Sequence, residues 1–436
     1  VPAWFARYAQ RSCPAFVLAA CWSASAYALD PLNSSNRPED KQPPITAPTD
    51  ARASDDTAHN ELNVVPVAGG STDLGFGGGY FAGLARVKEG VVPFLWNIDS
   101  SGLITFKYSA RSGFTSPYQD VYARLTIPRL LGAPLRLEVR PSYTWENIDY
   151  FGMGNASSRT AADHNPNPDY SKYQRGHPQF DVDVRVRVVD HLAARVGFRY
   201  IYNSIRVPED SQLAEDQRSG SAEVKQLIGE TTSHSVGLLK YGLQFDTRDN
   251  ETTTHSGAFD TLDVKLSPGG TAAFPYRYGE ATVNLRHFVT LGTPHVALAT
   301  RVVGDWLFGT VPFYELARFD DTYALGGTLG VRGVPAQRYY GKRKLLGNIE
   351  LRLEVATFRA VGKWLTLSLT PFFDVGRLWA DTKPQPELDG QGLGLKYGYG
   401  GGLRVQSGSS FVIRLDVAAS PDANPVSGYF SAGQMF

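Results

Sequence analysis

The sequence predicts an all-β protein, a transmembrane antiparallel β-barrel of about sixteen strands with a long loop between strands 11 and 12. Three observations lead there. Segments of about ten residues alternate apolar and polar side chains through most of the chain, as a sheet with lipid on one face and water on the other must, and a closed barrel leaves no unpaired edge in a bilayer. The connections between these segments are short at one end and long at the other, the asymmetry of outer-membrane barrels. The composition of 44 Gly, 22 Tyr and 23 Phe against 2 Met supplies turn-formers and rings suited to the two membrane–water interfaces. A mean hydropathy of -0.24 is compatible with this, because every second residue of a membrane strand faces water.

Residues 1–28 read as an export signal peptide: Arg7 and Arg11 precede an apolar run from Pro14 to Trp22, and Ala26-Tyr27-Ala28 is a small-x-small cleavage site. Cleavage after Ala28 removes both cysteines, Cys13 and Cys21, which suits an oxidising compartment. A second route stays open, because Leu18-Ala19-Ala20-Cys21 also fits a lipoprotein processing site that would lipidate Cys21. Residues 29–72 are rich in Pro, Asp, Asn, Ser and Thr and poor in aromatics, so they read as a disordered periplasmic lead-in. Residues 73–436 read as the barrel. No uninterrupted apolar run reaches the roughly eighteen residues that a membrane helix needs.

Strand periodicity carries the barrel assignment. In 135–145, Leu135, Leu137, Val139, Tyr143 and Trp145 share one phase and Arg136, Glu138, Arg140, Ser142 and Thr144 the other. Residues 180–188 set Phe180, Val182, Val184, Val186 and Val188 against Asp181, Asp183, Arg185 and Arg187, and 411–417 set Phe411, Ile413, Leu415 and Val417 against Val412, Arg414 and Asp416. A helix would scatter these residues around its axis. Strands are expected at 74–86, 91–98, 102–110, 118–128, 134–147, 177–190, 193–205, 233–247, 256–267, 276–291, 295–309, 346–356, 363–380, 395–406, 409–420 and 427–436. With the first strand running outward, short turns such as Asp99 to Ser101 and Leu130 to Ala133 lie on the periplasmic side. The long connections 148–176, 206–232, 310–345 and 381–394 then lie outside, with two exceptions to the asymmetry, the periplasmic turns 248–255 and 357–362 of middling length.

Other classes are disfavoured. Lys plus Arg and Asp plus Glu are both 43, so no basic excess points to nucleic acid. The 8 histidines are scattered, without a His-Glu-x-x-His spacing or a Gly-x-Ser-x-Gly elbow. No catalytic residue, metal site or cofactor is expected, and the chain does not read as an enzyme.

The loop 310–345 contains Gly326-Gly327-Thr328-Leu329-Gly330-Val331-Arg332-Gly333-Val334, followed by Gly347-Asn348-Ile349-Glu350-Leu351-Arg352 and by Phe372-Phe373-Asp374-Val375-Gly376 on successive strands. With Ile349, Leu351, Leu353 and Val355 toward lipid, Glu350 faces the lumen, and the same phase argument turns Asp374 inward. Arg332 can therefore reach both carboxylates from inside, through charge-assisted bonds that hold the loop. Together these segments resemble the BamA/TamA superfamily of outer-membrane assembly and two-partner-secretion barrels, the bacterial surface antigen family, over about residues 64–436. The resemblance implies a loop folded into the barrel, with Val331, Arg332 and Gly333 at its tip and Arg332 anchored on Glu350 and Asp374. Val334 departs from the aromatic residue usual there. Tyr150-Phe151-Gly152-Met153-Gly154-Asn155 is similar to a motif of short members, and nothing between residues 29 and 69 matches the POTRA domains with which larger members capture clients. The resemblance also implies a seam between the first and last strands: Gly75, Gly77, Gly78 and Gly79 would weaken the first, and Phe430 and Phe436 would lie on the last. Residues 428–436 resemble the C-terminal signal of barrels handed to the assembly machinery.

Two functions follow as expectations. In one, the protein sits in the bacterial outer membrane, in contact with lipid and lipopolysaccharide, and inserts or translocates client proteins or lipid, with a separate periplasmic partner in place of the missing capture domains. In the other it is a passive channel whose lumen charges set ion preference. Homo-oligomerisation is left open.

Overall fold

The computed structural model describes residues 58–436 except 89–90, 92–93, 110–112, 320–321, 324, 361–362, 408–410 and 423–425. The signal peptide expected at 1–28, both cysteines and most of the expected lead-in lie outside the described residues. The wall has sixteen strands in chain order: β1 (His59–Ser71), β2 (Gly75–Val87), β3 (Trp96–Ser109), β4 (Tyr118–Ile127), β5 (Leu135–Asp149), β6 (Lys172–Val189), β7 (Leu192–Arg206), β8 (His234–Asp246), β9 (Gly257–Pro268), β10 (Arg277–Thr290), β11 (Val296–Gly309), β12 (Arg343–Ala360), β13 (Lys363–Trp379), β14 (Lys396–Ser407), β15 (Phe411–Ala419) and β16 (Ser427–Ala432). A three-residue strand, Gly113–Thr115, extends the β3–β4 hairpin. Each strand pairs antiparallel with the next, and β16 returns to β1, so the sheet closes. No helix among the described residues is long and apolar enough to cross a membrane.

Alternation along the strands sorts charge from apolar surface. In β13 Phe373 is exposed while Asp374 is fully buried, and in β15 Leu415 and Val417 are exposed while Arg414 and Asp416 are buried. One row therefore faces out and the other faces a lumen crossed by ion pairs. Asp181 on β6 accepts from Arg199 Nε at 2.6 Å and Lys240 Nζ at 2.8 Å, and Lys265 meets Glu280 at 3.2 Å. Apolar burial is concentrated at the long-loop end. There Tyr150, Tyr173, Phe313, Tyr314 and Tyr340 pack with Leu213, Leu227 and Ile228, the last three carried by α1 (Gln212–Ser219) and α2 (Ala222–Ile228), which are capped by Ser211 and Ser221.

The total of sixteen agrees with expectation, and the strand expected at 74–86 is observed as β2, but it is the second strand and not the first. β1 falls inside the stretch 29–72 read as a disordered lead-in. It is paired over 13 residues with β2, from His59↔Val87 to Ser71↔Gly75. Conversely, the segments expected at 91–98 and 102–110 contribute to a single strand, β3 over Trp96–Ser109, and Asp99 to Ser101 is no turn. The Asp99 carboxylate points inward and accepts from Arg124 Nε at 3.0 Å and Nη2 at 2.9 Å, while Ser100 Oγ donates to the Tyr122 carbonyl at 2.8 Å. Of the polar triplet that mimics a turn, Asp99 and Ser101 are thus buried on the lumen row, and outward Ser100 is bonded to the backbone of the next strand. One strand missed and one divided leave the total unchanged, and β2 runs toward the short-turn end rather than outward.

The last strand is also shorter than 427–436. It ends at Ala432, and Gly433 takes φ +80°, a left-handed conformation that turns the chain. Phe436 then lies inside: its carbonyl accepts from Arg352 Nη2 at 2.9 Å, and its ring sits 5.3 Å from the Arg301 guanidinium. Phe430, Ala432 and Phe436 therefore do not form one continuous outward row.

Close approach of backbones fixes the glycines of β2. A Cβ on Gly77 would run into the Ile104 carbonyl of β3. Gly77→Val is expected to lower barrel stability by about 1–3 kcal/mol, measured as the urea midpoint of the heat-modifiable band in detergent micelles; an unchanged midpoint would show that the wall relaxes there without cost.

Candidate functional site

The 310–342 connection between β11 and β12 meets inward-row residues on both sides of the barrel. Toward β5, Arg318 Nη2 donates to both oxygens of Glu146 at 2.7 and 2.9 Å. Lys344, at the foot of the loop on β12, pairs with Asp305 of β11 at 2.7 Å, with both side chains fully buried. It also donates to the carbonyls of Arg318 and Glu315. These contacts fix the first half of the loop.

Arg332 fixes the second half. Its Nε and Nη2 donate to the two oxygens of Asp374 at 2.7 and 2.9 Å, its Nη1 to Glu350 at 2.7 Å and to Asp416 at 3.1 Å, and its backbone N–H to Asp374 at 3.1 Å. The guanidinium lies 3.4 Å from the centroid of the Phe372 ring, a cation–π contact in a dry site. Planar, forked donors suit three carboxylates arrayed on β12, β13 and β15, which an ammonium could not span. Val331 is fully buried in an apolar cluster with Leu325, Val334 and Tyr339, and the Gly333 N–H donates to the Tyr429 hydroxyl of β16 at 2.9 Å. The two valines flanking the Arg-Gly pair thus turn into packing. Val334, the departure noted in the sequence, gives the loop tip a buried aliphatic contact.

Three further arginines complete the cluster. Asp416 also accepts from Arg404, Arg404 Nη2 reaches Glu350 at 3.4 Å, and Arg352 donates to Glu350 at 3.2 Å. Arg414 donates to Thr328 of the loop at 2.7 Å and to Ser431 of β16 at 2.9 Å. The inward phase already marked Arg352, Arg414 and Asp416, but the motif directed attention only to the two strands after the loop, and Asp416 lies 84 residues from Arg332. Arg404, in a Gly-rich strand, carried no signal of its own.

The structure moves the seam. Gly75, Gly77, Gly78 and Gly79 lie on β2, between β1 and β3, and do not touch the last strand's ladder. The strand that meets β16 is β1, through the pairs Gly70↔Phe430 and Ser71↔Tyr429, supplemented by Thr72 N–H donating to the Gly428 carbonyl at 3.0 Å. Among the described residues no part of β1 before Gly70 pairs with β16. Pro66 lies on this free edge. Its neighbours continue the β2 ladder on both sides and proline has no N–H to give, so its nitrogen is oriented away from β2 and onto the seam.

The β1–β2 turn links the seam to the loop. Ala336 N–H donates to Asp73 Oδ2 at 3.3 Å, and Lys107 Nζ donates to the Asp73 carbonyl at 3.1 Å. Burial pushes the Asp73 carboxyl up from 3.8 to about 6 against the pull of Lys107. The protonated form therefore favours the folded state. Its stabilising share is present below about pH 4 and lost as pH rises through about 6. Stability titrated over that window is expected to fall more in the wild type than in Asp73→Asn; identical slopes would exclude this group.

The sequence matches the Omp85 superfamily domain over residues 101–436. BamA from Haemophilus ducreyi lacking POTRA domains 1-3 is similar in structure, with a TM-score of 0.58 and 14% identity, over 86% of this chain and 70% of that one. CdiB from Escherichia coli gives a TM-score of 0.52 and 14% identity, over 85% of this chain and 62% of that one. At these identities the likeness is one of fold. No curated protein matches.

Proposed function

The chain belongs to the Omp85 superfamily, and from that premise we propose that this outer-membrane barrel inserts or translocates polypeptide through its β1–β16 seam. The observation that carries the reading is the inequality of the two ladders of β1, 13 residue pairs to β2 and 2 to β16. At a net value of about 0.5–1.5 kcal/mol per hydrogen bond, opening the seam disturbs only a few such terms. The β1 edge from His59 to Gly69 also leaves backbone donors and acceptors for an added strand, the geometry of β-augmentation. The Arg332 cluster supports the same reading by bracing β12, β13 and β15, so that the wall beside the seam stays rigid while the seam gives.

A disulfide tests this. A Cβ on Gly428 would lie 3.9 Å from Thr72 Cγ2, an atom at the position that the sulfur of Thr72→Cys can take, so the two side chains reach each other across the seam. Thr72→Cys/Gly428→Cys, oxidised, is expected to reduce insertion or translocation of an unfolded barrel client by at least about tenfold and to regain it on reduction, with each single variant fully active. Full activity of the oxidised pair would rule out passage through the seam.

A further inference from the structure

We propose that the inward row of the β1–β2 hairpin is a second lipid-contact face, bound by acyl chains when the seam opens, and that the hairpin leaves the wall as one unit. This rests on the reading that the seam opens.

Charge distribution carries the argument. From Leu62 to Ala85 the only Asp, Glu, Lys or Arg is Asp73, which lies in the turn at the tip of the hairpin. The outward row presents Leu62, Val64 and Phe76, all exposed. The inward row, in phase with Gly69 and Gly77, consists mainly of Val65, Val67, Phe81 and glycines. On β1 the inward phase carries one charge, Glu61, which is 54% exposed at the short-turn end of the strand, whereas β3 to β15 each set at least one charged residue on the inward row, from Asp99 on β3 to Arg414 and Asp416 on β15. Those strands cannot present their lumen face to hydrocarbon without burying charge in lipid. The hairpin can present either face.

The pairing defines the moving unit. β1 is held to β2 by an unbroken ladder of 13 pairs, so it does not leave alone. On the other side the hairpin meets β3 along a line where the inward side chains of β2 are absent at Gly77 and Gly79. A Cβ at either would strike a β3 carbonyl, of Ile104 or Gly102, which marks a sharp inward crease. Bare backbone along that crease lets the hairpin rotate without dragging side chains past one another. Lipid is the fitting occupant, because the inward row is continuous around the free edge of β1 with the apolar outward row.

The test uses the full chain in phosphatidylcholine bilayers doped with a diazirine-acyl phosphatidylcholine, without client, and locates adducts by mass spectrometry. Hydrogen exchange over 427–432 reads seam opening independently. Adducts on Val65 and Phe81 are expected in the reduced Thr72→Cys/Gly428→Cys protein and to fall at least about tenfold on oxidation, while those on outward Leu62 stay constant. Val65→Lys, whose charge faces water in the closed wall, is expected to leave the urea midpoint unchanged and to cut adducts at Phe81 by about tenfold. If 427–432 exchanges rapidly but Val65 and Phe81 label no more than Ser142 on the inward row of β5, the lipid face is wrong and the opening seam stands. If 427–432 is protected and both sites stay unlabelled, both readings fail. Crosslinking of Val65 and Phe81 to an added client strand, with no lipid adduct, would assign the face to polypeptide and overturn the proposal.

Discussion

Arg332→Ala is expected to destabilise the protein by about 3–5 kcal/mol, because it removes the cation and leaves buried carboxylates behind. The cost is unequal among the three acids. Glu350 keeps Arg352 and Arg404, and Asp416 keeps Arg404 and Arg414. Asp374 keeps, among its described partners, only Asn348 Nδ2 at 2.8 Å. Most of the penalty therefore falls on Asp374, and the double variant Arg332→Ala/Asp374→Ala is expected to recover a large part of the loss. Arg332→Lys keeps the charge but cannot donate to all three acids, so it should fall between. Unfolding in urea and single-channel conductance read the two consequences, lower stability and a less obstructed lumen. A wild-type midpoint and conductance in Arg332→Ala would show that the cluster neither braces the wall nor holds the loop.

Lys344→Met is the second large effect, again about 3–5 kcal/mol, and it acts on the other half of the same loop. It leaves Asp305 fully buried with, among the described residues, only the Thr282 hydroxyl at 2.6 Å and strips a donor from the Arg318 and Glu315 carbonyls. Hydrogen exchange over 313–319 should accelerate while exchange over 329–334, held by Arg332, stays slow. Acceleration of both stretches together would mean that the loop has one anchor rather than two. Because both anchors restrain one segment, the combined variant should cost less than the sum of the two.

How far the fold was legible depends on contrast between rows. Strands such as 180–188, with valines in one phase and Asp and Arg in the other, are read directly. β1 is unreadable by that rule, because Leu62 and Val64 fall in one row and Val65 and Val67 in the other, after the polar start His59-Asn60-Glu61. Period two has no amplitude there. The property that hid the strand is the one that frees its inward face for lipid. The Asp99-Ser100-Ser101 turn signal failed for the opposite reason, since a lumen wall admits polar residues in mid-strand. At the site, Arg332, Glu350 and Asp374 were legible from motif and phase together. Asp416, Arg404 and the Lys344–Asp305 pair needed the curvature of the wall, which alone brings β11, β14 and β15 against one loop.

The proline on the free edge of β1 has a consequence beyond one molecule. Outer-membrane barrels are crowded in two dimensions, and two copies meeting edge to edge would offer each other matching rows of unpaired amides, the start of an aggregated sheet. Pro66 removes one donor from the middle of that row, and His59 and Glu61 place polar, ionisable side chains at its beginning. A solitary visitor strand tolerates one missing bond, whereas a self-propagating stack repeats the defect in every copy. Pro66 thus allows transient pairing and discourages permanent pairing among neighbours.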